Sequence, residues 1–344
     1  MDIFRVARPS DIDAILKISS EAGRGLSTVP KTLKDVENYV SSTAQFIAGK
    51  RDANSVLFVL ESDGDILGMS GIIVKTDAVS PFWSFEHKKA EPSRMGMSSR
   101  SKNEVLQLSS KFNGYSEVGT LLLSKKSRGR GLGKLLSLGR LAFINSHKSS
   151  FNEMLMADIR GWQDEDGISP FWTGLSSKFL DGTFDEAERS LSRDKEFLSN
   201  SMPLEPLYFP LLEKQVLSCI GRANVRSVGA VKLLSAAGFS ATNFCNVLDG
   251  GPALECHVND TIVAKTETIA HSFSENVTSE HALQYNGTAY DFRATIAEAD
   301  IENATLSERA KLNFPDFKNS PIKLSRLSMP TQFQQVKLKQ KVIR

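Results

Sequence analysis

A mixed α/β fold is predicted for this 344-residue chain, and three stretches carry the prediction. Two β-rich runs, Val56–Leu60 and Ile66–Val74, flank Glu61-Ser-Asp-Gly-Asp65, whose residues suit a hairpin turn. The apolar run Val118–Leu123 leads through Arg128-Gly-Arg-Gly-Leu-Gly133 into a segment where Leu132, Leu135, Leu136, Gly139, Ala142 and Phe143 recur at helical spacing. After residue 258 the chain turns rich in Thr, Asn and Ser, with short alternating runs such as Tyr290–Ile296. The expected division is a body over 1–258 and a small β-rich C-terminal region and tail over 259–344.

Taken in order, Ser10 is expected to cap a first helix, with Asp11 and Asp13 in the first turn where carboxylates complement the helix dipole. A loop over 23–30 leads to a polar helical stretch over 32–48, and the hairpin follows. Residues 75–116, with Pro81, Pro92 and several serines, read as a long connection with short elements, Val105–Leu108 being its most regular run. Glu153–Asp158 is a further strand candidate. Ser169 suits a cap with Pro170 at the first helical position, and Phe171 and Trp172 read as core aromatics. Val228–Ala237 reads as a helix stopped by Gly238, with an extended segment reaching Leu248. Val336, Leu338 and Val342 alternate with lysines, as an edge strand or a frayed tail would.

Charge excludes some partners. Lys and Arg total 42 against 40 Asp and Glu, a net charge of +2 that gives no reason to favour nucleic acid or an anionic membrane. No apolar run approaches the roughly eighteen residues of a spanning helix, so we expect a cytoplasmic protein with neither partner. Cys219, Cys245 and Cys256 lack the count and spacing of a disulfide framework or zinc site, which leaves buried thiols and no metal.

The turn at 128–133 carries the chemistry. Between a buried strand and a helix, Gly129, Gly131 and Gly133 let backbone N–H groups approach a ligand, the helix adds its positive end, and Arg128 and Arg130 add charge. That combination suits a phosphate. No Gly-Lys-Ser/Thr follows, so it is not a P-loop, and Gly-x-Gly-x-Gly is not the dinucleotide fingerprint. It resembles the pyrophosphate loop of the GNAT acyltransferases, Arg/Gln-x-x-Gly-x-Gly/Ala, which holds coenzyme A.

A wider resemblance covers the chain from its N-terminus to about residue 258. Leu26-Ser-Thr-Val-Pro30, Thr120–Leu123, Arg128–Gly133, Asp158-Ile-Arg-Gly161, Ser169-Pro-Phe-Trp172, Ile220-Gly221, Gly238-Phe239 and Asp249-Gly-Gly-Pro-Ala-Leu-Glu-Cys256 are similar, in this order, to the arginine N-succinyltransferase family. The resemblance implies a GNAT-like fold with a mixed, largely antiparallel sheet. It implies transfer of a succinyl group from succinyl-CoA, as co-substrate, to the α-amine of L-arginine in arginine catabolism. It also implies that Leu121 contacts the acyl-CoA. Homo- or hetero-oligomers are compatible with it.

The family's proton-donating histidine, in a His-Pro pair after Ile-Gly, is replaced here by Asn224. Asparagine donates hydrogen bonds but supplies no proton near neutral pH. Three readings follow: the acid is dispensable, or Glu117, Asp158, Glu255 or Cys219 acts instead, or the chain is an impaired acyl-CoA-binding paralogue or regulatory subunit. An N-acyltransferase for a related amino acid such as ornithine is a further alternative. For substrate binding, Asp158, Asp249 and Glu255 are candidates to accept a guanidinium, and Arg160 to hold a carboxylate.

Overall fold

Sixteen strands among the described residues join into one sheet. The structure is a computed structural model that describes residues 1–22, 28–78, 81–90, 104–191, 196–275, 277, 280–315 and 318–328. The chain runs from β1 (Asp2–Val6) through α1 (Ile12–Ser19) and α2 (Leu33–Ile47) into the hairpin β2 (Ser55–Ser62) and β3 (Asp65–Ile73). Asp63 and Gly64 turn it with φ of 50° and 88°, the left-handed pair that suits two right-twisted strands. The long connection holds β4 (Ser84–Lys89) and β5 (Glu104–Ser109), which pair antiparallel.

Next come β6 (Ser116–Leu123), α3 (Leu132–Ser146) and β7 (Met154–Asp158), the strand, turn, helix and strand expected from the sequence. α4 (Pro170–Gly174), α5 (Phe184–Leu191), α6 (Phe197–Ser201), β8 (Leu207–Tyr208) and α7 (Lys214–Leu217) follow, gathered on an apolar core around Phe171, Leu175 and Val216. Ser169 caps α4 by accepting from Trp172 N at 3.3 Å. α8 (Val228–Ala236) ends before Gly238, at φ 112°, and leads into β9 (Ser240–Asn246) and β10 (Pro252–His257). The remainder holds α9 (Ile262–Thr266), β11 (Thr268–Ile269), β12 (Ser272–Ser274), β13 (Glu280–Asn286), β14 (Arg293–Asp300), β15 (Thr305–Ser307), α10 (Ala310–Asn313) and β16 (Lys323–Ser325).

Strand order is β11-β16-β13-β14-β1-β2-β3-β6-β7-β10-β9-β4-β5-β8, with β12 and β15 attached beside β14. Pairing is antiparallel except for β6 with β7 and β12 with β15. The stretch after 258 is β-rich and continues this sheet: β14 pairs with β1 at Phe4 and Ala294. Leu283, Tyr285, Phe292 and Ala294 share one apolar core with Phe4, Phe58 and Phe143.

The first helix begins later than expected. Ser10 is exposed and the residues Pro9–Asp11 form a 3-10 turn. Asp11 binds Arg8 N at 2.8 Å and takes two guanidinium bonds from Arg5, at 2.8 and 2.9 Å. Arg5 is buried, and a buried guanidinium needs a carboxylate partner, which fixes Asp11 at the turn. All three cysteines are free and buried. Among the described residues no helix is long and apolar enough to cross a membrane. Residues 23–27 of the expected loop and the alternating run at 336–342 lie outside the described residues.

Candidate active site

β6 and β7 pair in parallel at Ser116 with Leu155 and at Glu117 with Met156, and then part. Residues 117–121 of β6 and 158–160 at and just beyond the end of β7 line a cleft of about 90 Å3. Ser137 and Arg140 of α3, Ser227, Ala230 and Leu233 from the start and body of α8, and Thr28 complete its wall.

What parts the strands is a bulge. β6 takes three steps from Gly119 to Leu122 where β3 takes two, from Gly71 to Met69. Thr120 carries the extra residue at φ 56°, a left-handed conformation unusual for a β-branched residue. Thr28 holds it there: Thr120 N donates to Thr28 Oγ1 at 2.9 Å, and Thr120 Oγ1 donates to Thr28 O at 3.0 Å. Tyr39 Oη lies 3.2 Å from the same hydroxyl. A Cβ at Gly71 would sit 2.2 Å from that phenol oxygen, so glycine is required opposite the bulge.

The cleft is electrostatically loaded. Glu117 is buried, and loss of hydration raises its carboxyl to about 7 against the opposing pull of Arg140. Arg140 is 2% exposed, and burial lowers it to about 10. Burial, with the charges of Glu117 and Asp249, also holds Asp158 well above the usual carboxylate range, while Asn246 Nδ2 donates to its Oδ2 at 2.6 Å. Arg160 is half-buried and lowered by desolvation; it donates to Gln163 Oε1, and its Nε has no partner among the described residues.

At the head of α3, Gly129 and Gly131 take φ of 83° and 77°, and Gly131 is the N-cap. Open space surrounds both, since a Cβ added at either would meet nothing within 4 Å. Arg128 and Arg130 are exposed beside them; Arg128 Nε donates to Leu123 O at 3.4 Å and Arg130 lies 3.6 Å from Asp2. Gly133 falls inside the first helical turn, in ordinary contact with Leu123 and Leu233.

Residues 2–263 match the family described as the arginine N-succinyltransferase beta subunit. The chain belongs to the arginine N-succinyltransferase family. The arginine N-succinyltransferase of Photorhabdus laumondii subsp. laumondii is 30% identical over 289 residues, 82% of this chain and 84% of that one. The alpha and beta subunits of the Pseudomonas aeruginosa enzyme are 27% and 28% identical, covering 87% and 88% of this chain and 91% of each relative. The solved structure of arginine/ornithine succinyltransferase subunit AI from Pseudomonas aeruginosa superposes with a TM-score of 0.84 at 24% identity, over 96% of this chain and 99% of that one, and so shares its fold. This is therefore an acyltransferase family member of mixed α/β fold.

Within this family member the expected site residues fall into three groups. Leu121, Asp158 and Arg160 line the cleft, as does Glu117, and the glycine turn stands at the head of the helix that reaches it. Asn224 does not line the cleft but is buried behind it: its N donates to Arg160 O at 2.9 Å, and its Oδ1 accepts from Arg226 N at 3.0 Å. Asp249 and Glu255, expected as guanidinium acceptors, lie outside the lining of this cleft. Asp249 is spent on backbone, taking Gly161 N at 2.7 Å and Gly251 N at 2.9 Å, and Glu255 lies on β10 away from the lining. Cys219 also lies outside the lining: its thiol sits in the apolar core around Phe171, is raised by burial, and donates to Gln215 O.

Sequence reasoning met Thr28 and Thr120 inside the motifs Leu26–Pro30 and Thr120–Leu123 without giving either a role, and missed Ser137 and Arg140. A signal existed for the last two: polar residues one turn apart in a helix otherwise apolar on nearly every side.

Proposed function

We propose that this chain transfers the succinyl group of succinyl-CoA to the α-amine of L-arginine, releasing CoA and N2-succinyl-L-arginine. The observation that carries the reading is the parting of β6 and β7 over Glu117, on the strand that runs into an open glycine turn. In this reading the turn, with Arg128 and Arg130, receives the CoA pyrophosphate, and the pantetheine arm follows α3 toward Leu121. The helix rises about 1.5 Å per residue, so Arg140 stands about 12 Å along it from Leu132. The cleft is too small for the nucleotide and sized for the reacting ends.

An ammonium must lose a proton before it attacks a thioester. Glu117, raised to about 7, is placed to take it as general base. The amine then adds to the thioester carbonyl, the C–S bond breaks, and the second N–H proton leaves with the departing thiolate to give CoA thiol. Because a thiolate leaves far more readily than an amine, a proton donor at position 224 is not required in this scheme.

Only ionised Glu117 accepts a proton, so kcat/KM is expected to rise with pH through about 7, under the influence of Arg140, Tyr39 and Asp158 around it. Glu117→Gln should lower kcat by about 100-fold or more and abolish that limb; a variant with wild-type rate and profile removes Glu117 from the mechanism. Release of thiol from succinyl-CoA should depend on added arginine, assayed beside acetyl-CoA as donor and ornithine as acceptor. No release with any pair sinks the enzymatic reading.

Asn224 favours a second reading, an impaired or regulatory acyl-CoA-binding subunit that works beside a competent one. The alpha and beta subunit names of the Pseudomonas relatives support an oligomer of like or unlike chains. CoA binding without turnover, restored on mixing with a histidine-bearing relative, supports this reading over the first. CoA thioesters are held inside cells, so either reading places the work in the cytoplasm.

A further inference from the structure

α3 is an anomaly as a helix. Of its fifteen residues, eleven are buried, and amid leucines, alanine and phenylalanine stand Ser137 and Arg140, 1% and 2% exposed. Three residues apart, they share one helix face and both line the cleft. Charged residues are almost never fully buried without a counter-charge. Among the described residues Arg140 has one hydrogen-bond partner, Gly119 O, to which Nη1 donates at 2.8 Å; its Nε has none, and no carboxylate hydrogen-bonds to it. Glu117 acts on it only through space. Ser137 Oγ, equally buried, also lacks a partner among the described residues.

Two unsatisfied groups of matching chemistry, a guanidinium and a hydroxyl, thus meet at one end of a cleft with room for a small ligand. A planar fork of N–H donors beside an O–H donor is complementary to a carboxylate, which offers lone pairs to both. A neutral amide oxygen would leave the positive charge uncompensated. We propose that Ser137 and Arg140 form a receptor for a substrate carboxylate, filled when the reacting ends enter the cleft. The proposal rests on the succinyl-transfer reading and deepens it. Both substrates of that reaction carry a carboxylate, the distal one of the succinyl group and the α-carboxylate of arginine. Arg160, which also lines the cleft and whose Nε is unpartnered among the described residues, gives the cleft a second cation for the other.

The test is equilibrium binding by calorimetry on the full chain, which needs no turnover. Two pairs differ by one carboxylate each: succinyl-CoA against butyryl-CoA, and arginine against agmatine. In the wild type, the carboxylate that docks on Arg140 should improve affinity by about 100-fold, as expected of charge-assisted hydrogen bonds. In Arg140→Met that ratio should fall to within about threefold of one, while the ratio for the other pair stays. Collapse of the succinyl ratio assigns the receptor to the acyl donor, and collapse of the arginine ratio assigns it to the acceptor.

Arg140→Lys, which keeps the charge and loses the fork, should retain part of the ratio, and Ser137→Ala, a small change should Arg140→Met fail to fold, should reduce it by about tenfold. If neither ratio moves in any of the three variants, the receptor is overturned. A chain that discriminates carboxylates through Arg140 but turns nothing over keeps the receptor and loses the transfer reading. A chain that turns over with both ratios untouched by the variants keeps the transfer and loses the receptor.

Discussion

Asn224 has a structural occupation that bears on its chemistry. Its Oδ1 accepts from Arg226 N, two residues on, and so caps the 3-10 turn Val225–Ser227. His257 does the same at the next 3-10 turn, beyond α8, β9 and β10, where Nδ1 accepts from Asn259 N at 3.2 Å and caps Val258–Asp260. The two caps share their backbone, φ −57° and ψ 143° at Asn224 against −74° and 138° at His257. A neutral histidine at 224 can therefore keep the cap through Nδ1 and leave Nε2–H free to donate a hydrogen bond, whereas imidazolium, a donor at both nitrogens, gives the cap up. We expect Asn224→His to fold normally with the ring neutral, and to raise turnover by up to about 100-fold below a pH of about 6.5, where imidazolium supplies the proton at the expense of the cap. The gain should fade as pH rises and the ring loses its proton. Unchanged turnover across that range, with a normal melting temperature, takes position 224 out of proton transfer.

At the scale of elements, β6 decides the site. Its bulge turns a strand that would pair fully with β7 into one wall of a cleft, and the bulge is held from outside the strand. Thr28 satisfies both Thr120 N and Thr120 Oγ1, so the left-handed residue is over-determined by a segment ninety-two positions away. Thr28→Val keeps the shape and removes the acceptor, leaving a buried N–H unpaired at a cost of about 1–3 kcal/mol. The expected outcome is a lower denaturant midpoint together with a fall in kcat/KM, because the displaced strand carries Glu117 and Leu121. Full stability and activity in that variant would show that the bulge stands without its latch. On the other wall, the segments 158–162, 220–224 and 246–252 are tied to one another: Gly161 N and Gly251 N bind Asp249, Gly221 N donates to Gly250 O, and Asn224 N donates to Arg160 O. A Cβ at Gly251 would sit 1.9 Å from Ile159 O, so this wall closes only around glycine.

For the molecule as a whole, the region after 258 acts as cover for the cleft-bearing half. β14 takes the edge of β1, and Phe292 meets Phe143 at 5.1 Å and Phe4 at 6.3 Å, both edge-on, in the core beneath α3. α9 packs on the same helix. Removing 259–344 would strip a paired edge and bare that aromatic cluster, two recognised causes of aggregation. The 1–258 fragment is expected to elute as aggregate in size-exclusion chromatography; a soluble, CoA-binding fragment would mean that the C-terminal region is dispensable for folding. The near-balance of charge leaves Arg128 and Arg130 as a local positive feature beside the glycine turn, although Arg130 already faces Asp2.

The hairpin, the strand before the glycine turn and the helix after it were legible because each rests on neighbouring residues: Asp63-Gly64 and Gly129-x-Gly131 adopt the left-handed angles their residue types allow. The motifs around Asp158, Ser169 and Asp249 were legible as motifs, but their spacing does not say that Asp249 is consumed by Gly161 and Gly251 rather than offered to a substrate. Likewise Arg140 stands out in sequence as a polar residue in a largely apolar helix, but nothing local says what it faces. Its burial depends on β3, β6 and β14 all packing on α3, pairings between residues far apart in the chain. By itself the sequence determined the local frame and an anion-suited turn, since backbone angles and side-chain period are short-range. Which polar groups face the reacting ends was decided by the tertiary structure, because a one-residue bulge at Thr120 and the covering of α3 from every side are set by long-range packing.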